Sequence, residues 1–100
     1  MNEGNETALH YAAGYGKEAV AAQLLKAKAS VTAVASNGWT PLHDAADNGK
    51  AQVVDLLLQA KASPTAVAKD GRTPAQWAEQ GGHTDLAARL RQAEQAPSSM

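Results

Sequence analysis

Three histidines and two aspartates are the residues of this chain that could do chemistry together. His43, Asp44 and Asp47 fall within one turn of a predicted helix, and His10 and His83 could complete a ligand set. Imidazole and carboxylate groups at such spacing occur in zinc sites and in general acid–base pairs. The signal is weak, because His83 lies in a different sequence context from His10 and His43. We therefore predict no metal site.

Other catalytic arrangements are not found in the sequence. The remaining acidic residues are scattered, and no serine lies in a nucleophile elbow. The chain has no cysteine, so thiol nucleophiles and thiolate zinc sites are excluded. No glycine-rich loop of a phosphate-binding or dinucleotide-binding type occurs. The sequence therefore predicts a protein that is not an enzyme and that needs no cofactor.

The aromatic residues suggest surface recognition instead of catalysis. Tyr11 and Tyr15 are four residues apart and share one face of a predicted helix. Trp39 and Trp77 are the two tryptophans, and aromatic side chains are common anchors of protein interfaces. Two structural alternatives stay open for them. Trp77 could cap the core of its unit, and Trp39 could pack against a neighbouring hairpin.

These residues are positioned by an internal repeat of 33 residues. The segment Thr-Ala-Leu-His-Tyr-Ala-Ala at 7–13 returns as Thr-Pro-Leu-His-Asp-Ala-Ala at 40–46 and, in weaker form, as Thr-Pro-Ala-Gln-Trp-Ala-Glu at 73–79. We use the word column for the three residues that stand at the same place in the three repeats. A fixed period of this length is typical of solenoids, whose units bury their apolar faces against each other.

Each repeat is predicted to form a helix, a tight bend, a second helix and a loop. In the middle repeat, Thr40 is a good N-cap and Pro41 suits the first helical position. An Asn-Gly pair ends this short helix, and a second, apolar helix is predicted from about 50 to 60. Asn-Gly and Asp-Gly pairs at 37–38 and 70–71 mark hairpin-type loops.

The segment Gly-Trp-Thr-Pro-Leu-His-Asp-Ala-Ala at 38–46 resembles the G-x-T-P-L-H-x-A-A motif of the ankyrin-repeat family. The resemblance covers about residues 4–95. It implies an all-α solenoid of helix-turn-helix units joined by β-hairpin-like loops. It also implies that His10 and His43 are structural and tie neighbouring loops together by hydrogen bonds.

The length of the chain predicts a single domain, over residues 1–95, and residues 96–100 are expected to form a disordered tail. The repeats are expected at about 4–36, 37–69 and 70–95.

The resemblance further implies a non-catalytic module that binds another protein on its concave surface of short helices and hairpins. The side chains that we expect to make the contacts are Tyr11, Tyr15, Trp39, Asp44, Asp47, Asn48, Lys69, Arg72, Trp77 and Gln80. This set mixes charges, so a strongly charged partner is not indicated. The alternative is an engineered or minimal repeat scaffold that self-associates through the apolar loop residues Val34 and Val67.

The sequence departs from the family pattern after each second helix. Lys28 and Lys61 stand where the family usually has a glycine in the left-handed conformation. A lysine in that conformation costs about 1 kcal/mol, so either the loop is strained or its path is altered. The departure is the same in both loops, which favours selection or duplication over drift.

The ends of the array are predicted to be polar caps. In the last unit, Glu79 and Arg91 replace residues that are apolar in the other two units, and Gln23 and Arg89 flank a leucine in a third column. Solenoids need such polar outer faces for solubility. We therefore expect both outer units to act as caps.

The charge and hydropathy of the chain exclude some partners. The formal net charge is −1, which argues against binding nucleic acid through an overall field. No apolar run approaches the ~18 residues that span a bilayer, and the first residues are polar and acidic, unlike a secretory signal. We expect no membrane partner and a cytoplasmic location.

Overall fold

The computed structural model describes residues 7–29, 31, 34, 35 and 38–95, and this part of the chain forms six α-helices. In chain order they are α1 (Ala8–Tyr15), α2 (Glu18–Lys26), α3 (Pro41–Asp47), α4 (Ala51–Gln59), α5 (Pro74–Gln80) and α6 (Thr84–Gln95). No strand occurs in these residue ranges, and the prediction of an all-α fold is confirmed. The predicted tail at 96–100 lies outside them.

The helices form three stacked pairs in two layers. The short helices α1, α3 and α5 lie side by side with α3 in the middle, and we call them the inner helices. Each inner helix packs against the helix that follows it, and α2 also packs against α4. The molecule measures 31 × 30 × 21 Å along its principal axes. This is the stacking that the 33-residue period predicted.

The core contains several alanines and a leucine each from α1 and α3, and larger aliphatic side chains from α4 and α6. Small side chains let the inner helices approach closely, whereas α4 fills the space behind them with two valines and a leucine. The fully buried members of this core include Ala13, Ala45, Ala46, Val53, Val54 and Leu57. Because the middle pair has a neighbour on each side, it is the most completely buried.

Each inner helix begins with the same capping box. A threonine hydroxyl accepts a hydrogen bond from the backbone N–H three residues later, and the side chain at that third position accepts from the N–H of the threonine. The threonines are Thr7, Thr40 and Thr73, and the residues at the third position are His10, His43 and Gln76. The N-cap predicted at Thr40 is therefore present in every unit.

Lys28 and Lys61 adopt the left-handed backbone conformation, with φ of 69° and 74°. The Lys28 N–H donates to the carbonyl of Leu25 at 3.0 Å, and the Ala29 N–H donates to the carbonyl of Leu24 at 2.9 Å. This pair of bonds is a Schellman motif, and the same pair closes α4 around Lys61. The ends of α2 and α4 thus have the ordinary left-handed geometry, and the lysines bear its conformational cost.

Replacing both lysines with glycine (K28G, K61G) is expected to raise the free energy of unfolding by about 1 kcal/mol per site, because glycine adopts positive φ without steric cost. Both side chains are exposed, so little packing is lost. Urea unfolding of the single and double variants measures the gain. The matched control is G82K, which should lose a similar amount, because Gly82 has a φ of 82° and a Cβ there would meet nothing within 4 Å. Unchanged stability in K28G and K61G would contradict this account.

The two ends of the stack differ. At the C-terminal end, Arg91 donates to both carboxylate oxygens of Glu79, with N–O distances of 3.1 and 3.0 Å. This hydrogen bonding, together with the positive charge of Arg91, lowers the pKa of Glu79. At the N-terminal end, Val20 is 49% exposed, whereas Val53 in the same column is fully buried. On the outer helix of the first unit, Gln23 is exposed, as a polar cap requires, but Val20 on the same helix is exposed as well.

Candidate functional site

The imidazole ring of His10 joins the first unit to the second. Its Nδ1 lies 3.1 Å from the backbone nitrogen of Thr7, and its Nε2 lies 2.7 Å from the carbonyl oxygen of Trp39. Because the Thr7 N–H donates to Nδ1, the ring hydrogen is on Nε2 and is donated to the Trp39 carbonyl. Both ring nitrogens are engaged, so a metal ion would have to displace one of these bonds.

The imidazole ring of His43 joins the second unit to the third in the same way. Nδ1 accepts from the Thr40 N–H at 3.1 Å, and Nε2 donates to the carbonyl of Arg72 at 3.1 Å. The side chain is fully buried. Burial lowers the pKa of His43, because desolvation disfavours the imidazolium, and the hydrogen bond to Arg72 opposes this shift only in part. The role that the resemblance implied for both histidines is the one found.

Substituting His43 by glutamine is expected to keep the cap and to remove the link to the next unit. In the third unit, Gln76 already accepts from the Thr73 N–H at 2.9 Å, which shows that glutamine can complete the capping box. The Arg72 carbonyl then keeps only its bond from the Ala68 N–H, so we expect the loss of one hydrogen bond, about 0.5 to 1.5 kcal/mol.

The same variant tests the pH dependence of stability. The unfolded chain binds a proton on His43 near its ordinary pKa of 6.5, and the folded chain does so only at lower pH. Stability should therefore fall as the pH drops through 6.5, and H43Q should lose this part of the acid dependence. Thermal unfolding between about pH 5 and 8 measures both slopes. Equal slopes for the two proteins would show that His43 does not titrate as described.

His83 lies apart from the other two histidines. Its Nε2 donates to the backbone carbonyl of Asp47 at 3.2 Å, and its ring packs against Gly49 and Gly81, just before α6 begins. Nowhere in the described ranges do three or more His, Cys, Asp or Glu side chains come together in a way that could hold a metal ion. The imidazoles of this chain are inter-unit links.

Trp39, Arg72 and Trp77 form one cluster across the second and third units. The two indole rings lie 4.9 Å apart between centroids and are tilted by 51°, and the guanidinium carbon of Arg72 lies 5.1 Å from the centre of the Trp77 ring. All three side chains are half-buried. Trp39 thus packs on the inner helix of the next unit, and part of its side chain stays accessible to solvent.

Tyr11 and Tyr15 form a second cluster on α1. Their ring centroids lie 4.5 Å apart with a tilt of 41°, and the two residues are 54% and 62% exposed. Beside them, the side-chain amide of Asn48, the residue after α3, donates to the carbonyl oxygen of Asp44 at 2.9 Å. Between α1 and α3 lies a cleft of about 270 Å³ that we call the Tyr–Asp cleft. It is lined by His10, Tyr11, Gly14, Tyr15, Asp44 and Asn48.

The two clusters belong to one surface. Tyr11, Asp44 and Trp77 form a single column on α1, α3 and α5, which pack side by side. We call the surface of the inner helices that bears this column the inner-helix face. Comparison of the columns in the sequence predicted Tyr11 and Asp44 as contact residues. It did not predict Gly14, and it assigned His10 a structural role only. Gly14 shares a variable column with Asp47 and Gln80, which was the available signal.

The other predicted contact residues lie outside both clusters. Asp47 and Gln80 are the last residues of α3 and α5. Lys69 is exposed in the loop before α5, where a Cβ on Gly38 would lie 2.8 Å from its backbone nitrogen. Successive loops therefore pack closely on each other.

The loop before α5 is a tight turn. The Gly71 N–H donates to the carbonyl of Ala68 at 2.9 Å, and the Ala68 N–H donates to the carbonyl of Arg72 at 3.0 Å. Next to this turn, and at the matching place one unit earlier, Val67 and Val34 are each 55% exposed. The loop is hairpin-like in its hydrogen bonds, as the Asp-Gly pair predicted.

Comparison with known proteins identifies the class. A family model described as ankyrin repeats, in three copies, matches residues 1–68. Together with the capping boxes and the stacked helical pairs, this match shows that the chain belongs to the ankyrin-repeat family. No curated protein matches the chain significantly.

Membership of this family defines the kind of protein. Ankyrin repeats are generally protein–protein interaction modules, and the family is typically non-enzymatic. None of the helices in the described ranges is long and apolar enough to cross a membrane.

Proposed function

We propose that this chain binds a partner protein on its inner-helix face and the adjoining loops, without catalysing a reaction. The proposed contact residues are Tyr11, Tyr15, Trp39, Asp44, Asp47, Asn48, Lys69, Arg72, Trp77 and Gln80. The set combines two aromatic clusters with carboxylates, amides and cations on the inner helices and the adjoining loops. An aromatic centre with a polar rim is the usual composition of a protein interface.

The exposure of Tyr11 and Tyr15 is the observation that carries the proposal. Both rings are more than half accessible, whereas Leu9 and Ala12 on the opposite side of the same helix are 1% exposed. The contact between the two rings contributes only about 0.5 to 1.5 kcal/mol, and it leaves more than half of each residue exposed. Exposed aromatic area next to polar groups marks interaction sites on small proteins.

The Trp39–Arg72–Trp77 cluster supplies a second anchor. Tryptophan, tyrosine and arginine are the residue types that contribute most binding energy at interfaces. Trp77 lies on a preformed helix, and Trp39 and Arg72 are held by its ring, so binding orders few groups that are mobile beforehand. With a largest dimension of 31 Å, the molecule offers about one half of a standard interface, roughly 800 Å².

Affinity capture with the purified chain as bait tests the proposal. A partner retained by the wild type should be lost by Y11A/Y15A, with a fall in affinity of at least about tenfold. The matched control is V20A, because Val20 is similarly exposed but lies on the outer helix α2. A second double variant, W39A/W77A, probes the other anchor, and its melting temperature is measured to separate unfolding from loss of contact. The proposal is wrong if both double variants, while folded, retain the same partners as V20A.

Self-association is a second candidate, favoured by the paired exposure of Val34 and Val67 at equivalent loop positions. It would use the loop edge instead of the inner-helix face. Sedimentation velocity on the wild type and on V34T/V67T distinguishes the two. A wild-type dimer that becomes a monomer in the variant supports self-association. A wild type that stays monomeric at high concentration excludes it.

A further inference from the structure

We propose that the N-terminal end of the stack binds a second copy of this chain and forms a two-fold symmetric dimer. The surface in question is neither the inner-helix face nor the loop edge that carries Val34 and Val67. The proposal therefore goes beyond the proposed function and does not depend on it.

Comparison of the three units shows which residues form this end. Within the described residues, the first unit alone has no unit before it, so a position that is exposed there and buried in both later units faces backwards along the stack. Val20 is 49% exposed, whereas Val53 and Leu86 in the same column are 0% and 6% exposed. The first-unit residue is also the most exposed member of the columns that contain Ala8, Leu24 and Ala27.

Contacts between units show the same direction. A Cβ on Gly16 would lie 2.9 Å from the Cδ of Lys50, and a Cβ on Gly49 would lie 2.6 Å from the Cε1 of His83. Lys50 and His83 thus pack on the turn of the unit before them, and Lys17 in the same column is exposed. We call the surface formed by Ala8, Lys17, Val20, Leu24 and Ala27 the N-terminal end face.

The N-terminal end face is apolar except at its edge. Four of its five residues are alanine, valine or leucine, and Lys17 lies just before α2 begins. Gln23 is exposed as well, but Leu56 in its column is only half-buried, so this position faces outward beside the surface. The two later units bury their equivalents of Val20 and Leu24 against a helical pair, so another helical pair fits this face.

A second copy covers this face best with its own N-terminal end face. Residues 1–6 contain one apolar side chain, Met1, and two carboxylates, so their composition does not match it. The C-terminal end of the stack carries the ion pair of Glu79 and Arg91, which would lose its water against aliphatic side chains. A two-fold axis instead brings each apolar surface against an identical one.

The spacing of residues on α2 suits such a pair. If the two α2 helices lie antiparallel with the axis near position 22, Val20 of each copy meets Leu24 of the other, because these residues are one helical turn apart. Lys17 of each copy then lies opposite Ala27 of the other. The two lysines stay about 15 Å apart along the helix, which is beyond the screening length at physiological ionic strength. The pairing thus brings no like charges together.

The size of the face suits a weak dimer. Three helical pairs about 10 Å apart account for one of the two longer dimensions of the molecule, so the end of the stack measures up to 30 × 21 Å. Pairing two such ends buries at most about 1,200 Å² in total, which is the lower end of specific interfaces. We therefore expect a reversible dimer with a dissociation constant above about 10 µM.

Sedimentation equilibrium of the full chain between about 10 µM and 1 mM tests the dimer. The wild type should follow a monomer–dimer equilibrium without larger species, because a two-fold interface closes on itself. V20E should weaken the dimer at least about tenfold, because dimerisation would bury a carboxylate against aliphatic side chains. The matched control A88E adds the same charge at an exposed position of α6 and should leave the dimer unchanged, as should V34T/V67T.

NMR spectra of the ¹⁵N-labelled wild type over the same concentrations locate the interface without any substitution. The backbone amides of Ala8, Val20, Leu24 and Ala27 should shift together with the dimer fraction, and those of α5 and α6 should not. Melting temperatures show whether V20E and A88E are folded. If V20E does not fold, the shifts of the wild type decide the question.

Three outcomes would overturn the proposal: a wild type that stays monomeric at about 1 mM, a dimer that folded V20E forms as well as A88E does, or shifts centred on another surface. Open-ended oligomers would also contradict it, because they require head-to-tail packing. A dimer that V34T/V67T disperses and V20E retains would assign self-association to the loop edge instead.

Discussion

Replacing Leu57 with alanine is expected to lower the free energy of unfolding by about 2 to 5 kcal/mol. Leu57 lies on α4 in the middle pair and is fully buried in the hydrophobic core. The substitution removes apolar area and leaves a cavity between units that cannot close without moving the neighbouring helices. For a chain of 100 residues this is a large part of the total stability.

The matched control is Leu24→Ala, one repeat earlier in the same column. Leu24 lies on α2 at the open end of the stack and is only partly buried, so its truncation should cost clearly less. Both backbone carbonyls accept the same Schellman bond, which the substitutions leave intact. Urea unfolding measures the two losses. Equal losses would show that the middle unit gains nothing from its second neighbour.

Replacing Gly49 with alanine is expected to lower the free energy of unfolding by a similar amount, about 2 to 5 kcal/mol. Two separate effects contribute. The backbone has a φ of 70°, which costs an alanine about 1 kcal/mol. In addition, the new Cβ would lie 2.6 Å from the Cε1 of His83, which belongs to the next unit. The His83 ring would have to move. This movement is costly, because Gly81 lies against the ring and the ring Nε2 is hydrogen-bonded to the Asp47 carbonyl.

The control for this variant is G82A, which isolates the conformational cost. Gly82 has a φ of 82° at the equivalent helix end, but a Cβ there meets nothing within 4 Å. We expect G82A to cost about 1 kcal/mol and G49A at least twice as much. Calorimetric melting of the two variants provides the comparison. If the two substitutions cost the same, the packing of His83 into the second unit is not tight.

Local features of this fold could be predicted from the sequence. The threonine N-caps, the proline at the first helical position and the Asn-Gly and Asp-Gly turns act within a few residues, so their effect is readable directly. The period then places Tyr11, Asp44 and Trp77 in one column, because stacked repeats carry equivalent residues on neighbouring helices.

Side-chain contacts between helices and the backbone at the ends of α2 and α4 were harder to predict. The Glu79–Arg91 pair and the stacking of Trp39 on Trp77 depend on side-chain directions that spacing does not give. The conformation of Lys28 and Lys61 was also open, since the sequence allowed either a strained lysine or a different loop path. The positive φ angles of the two lysines and the Schellman bonds that close α2 and α4 decide for the strained lysine.

Tryptophan fluorescence in a complex with a captured partner tests the central claim most directly. Trp39 and Trp77 are the two tryptophans of the chain, and both lie in the proposed binding surface. With a partner that lacks tryptophan, or with 5-fluorotryptophan in this chain, the emission reports on these two residues alone. We predict a saturable change in emission and weaker quenching by acrylamide in the complex, both absent for folded Y11A/Y15A at the same concentrations. The account would be contradicted if acrylamide quenched both tryptophans as strongly in the saturated complex as in the free chain.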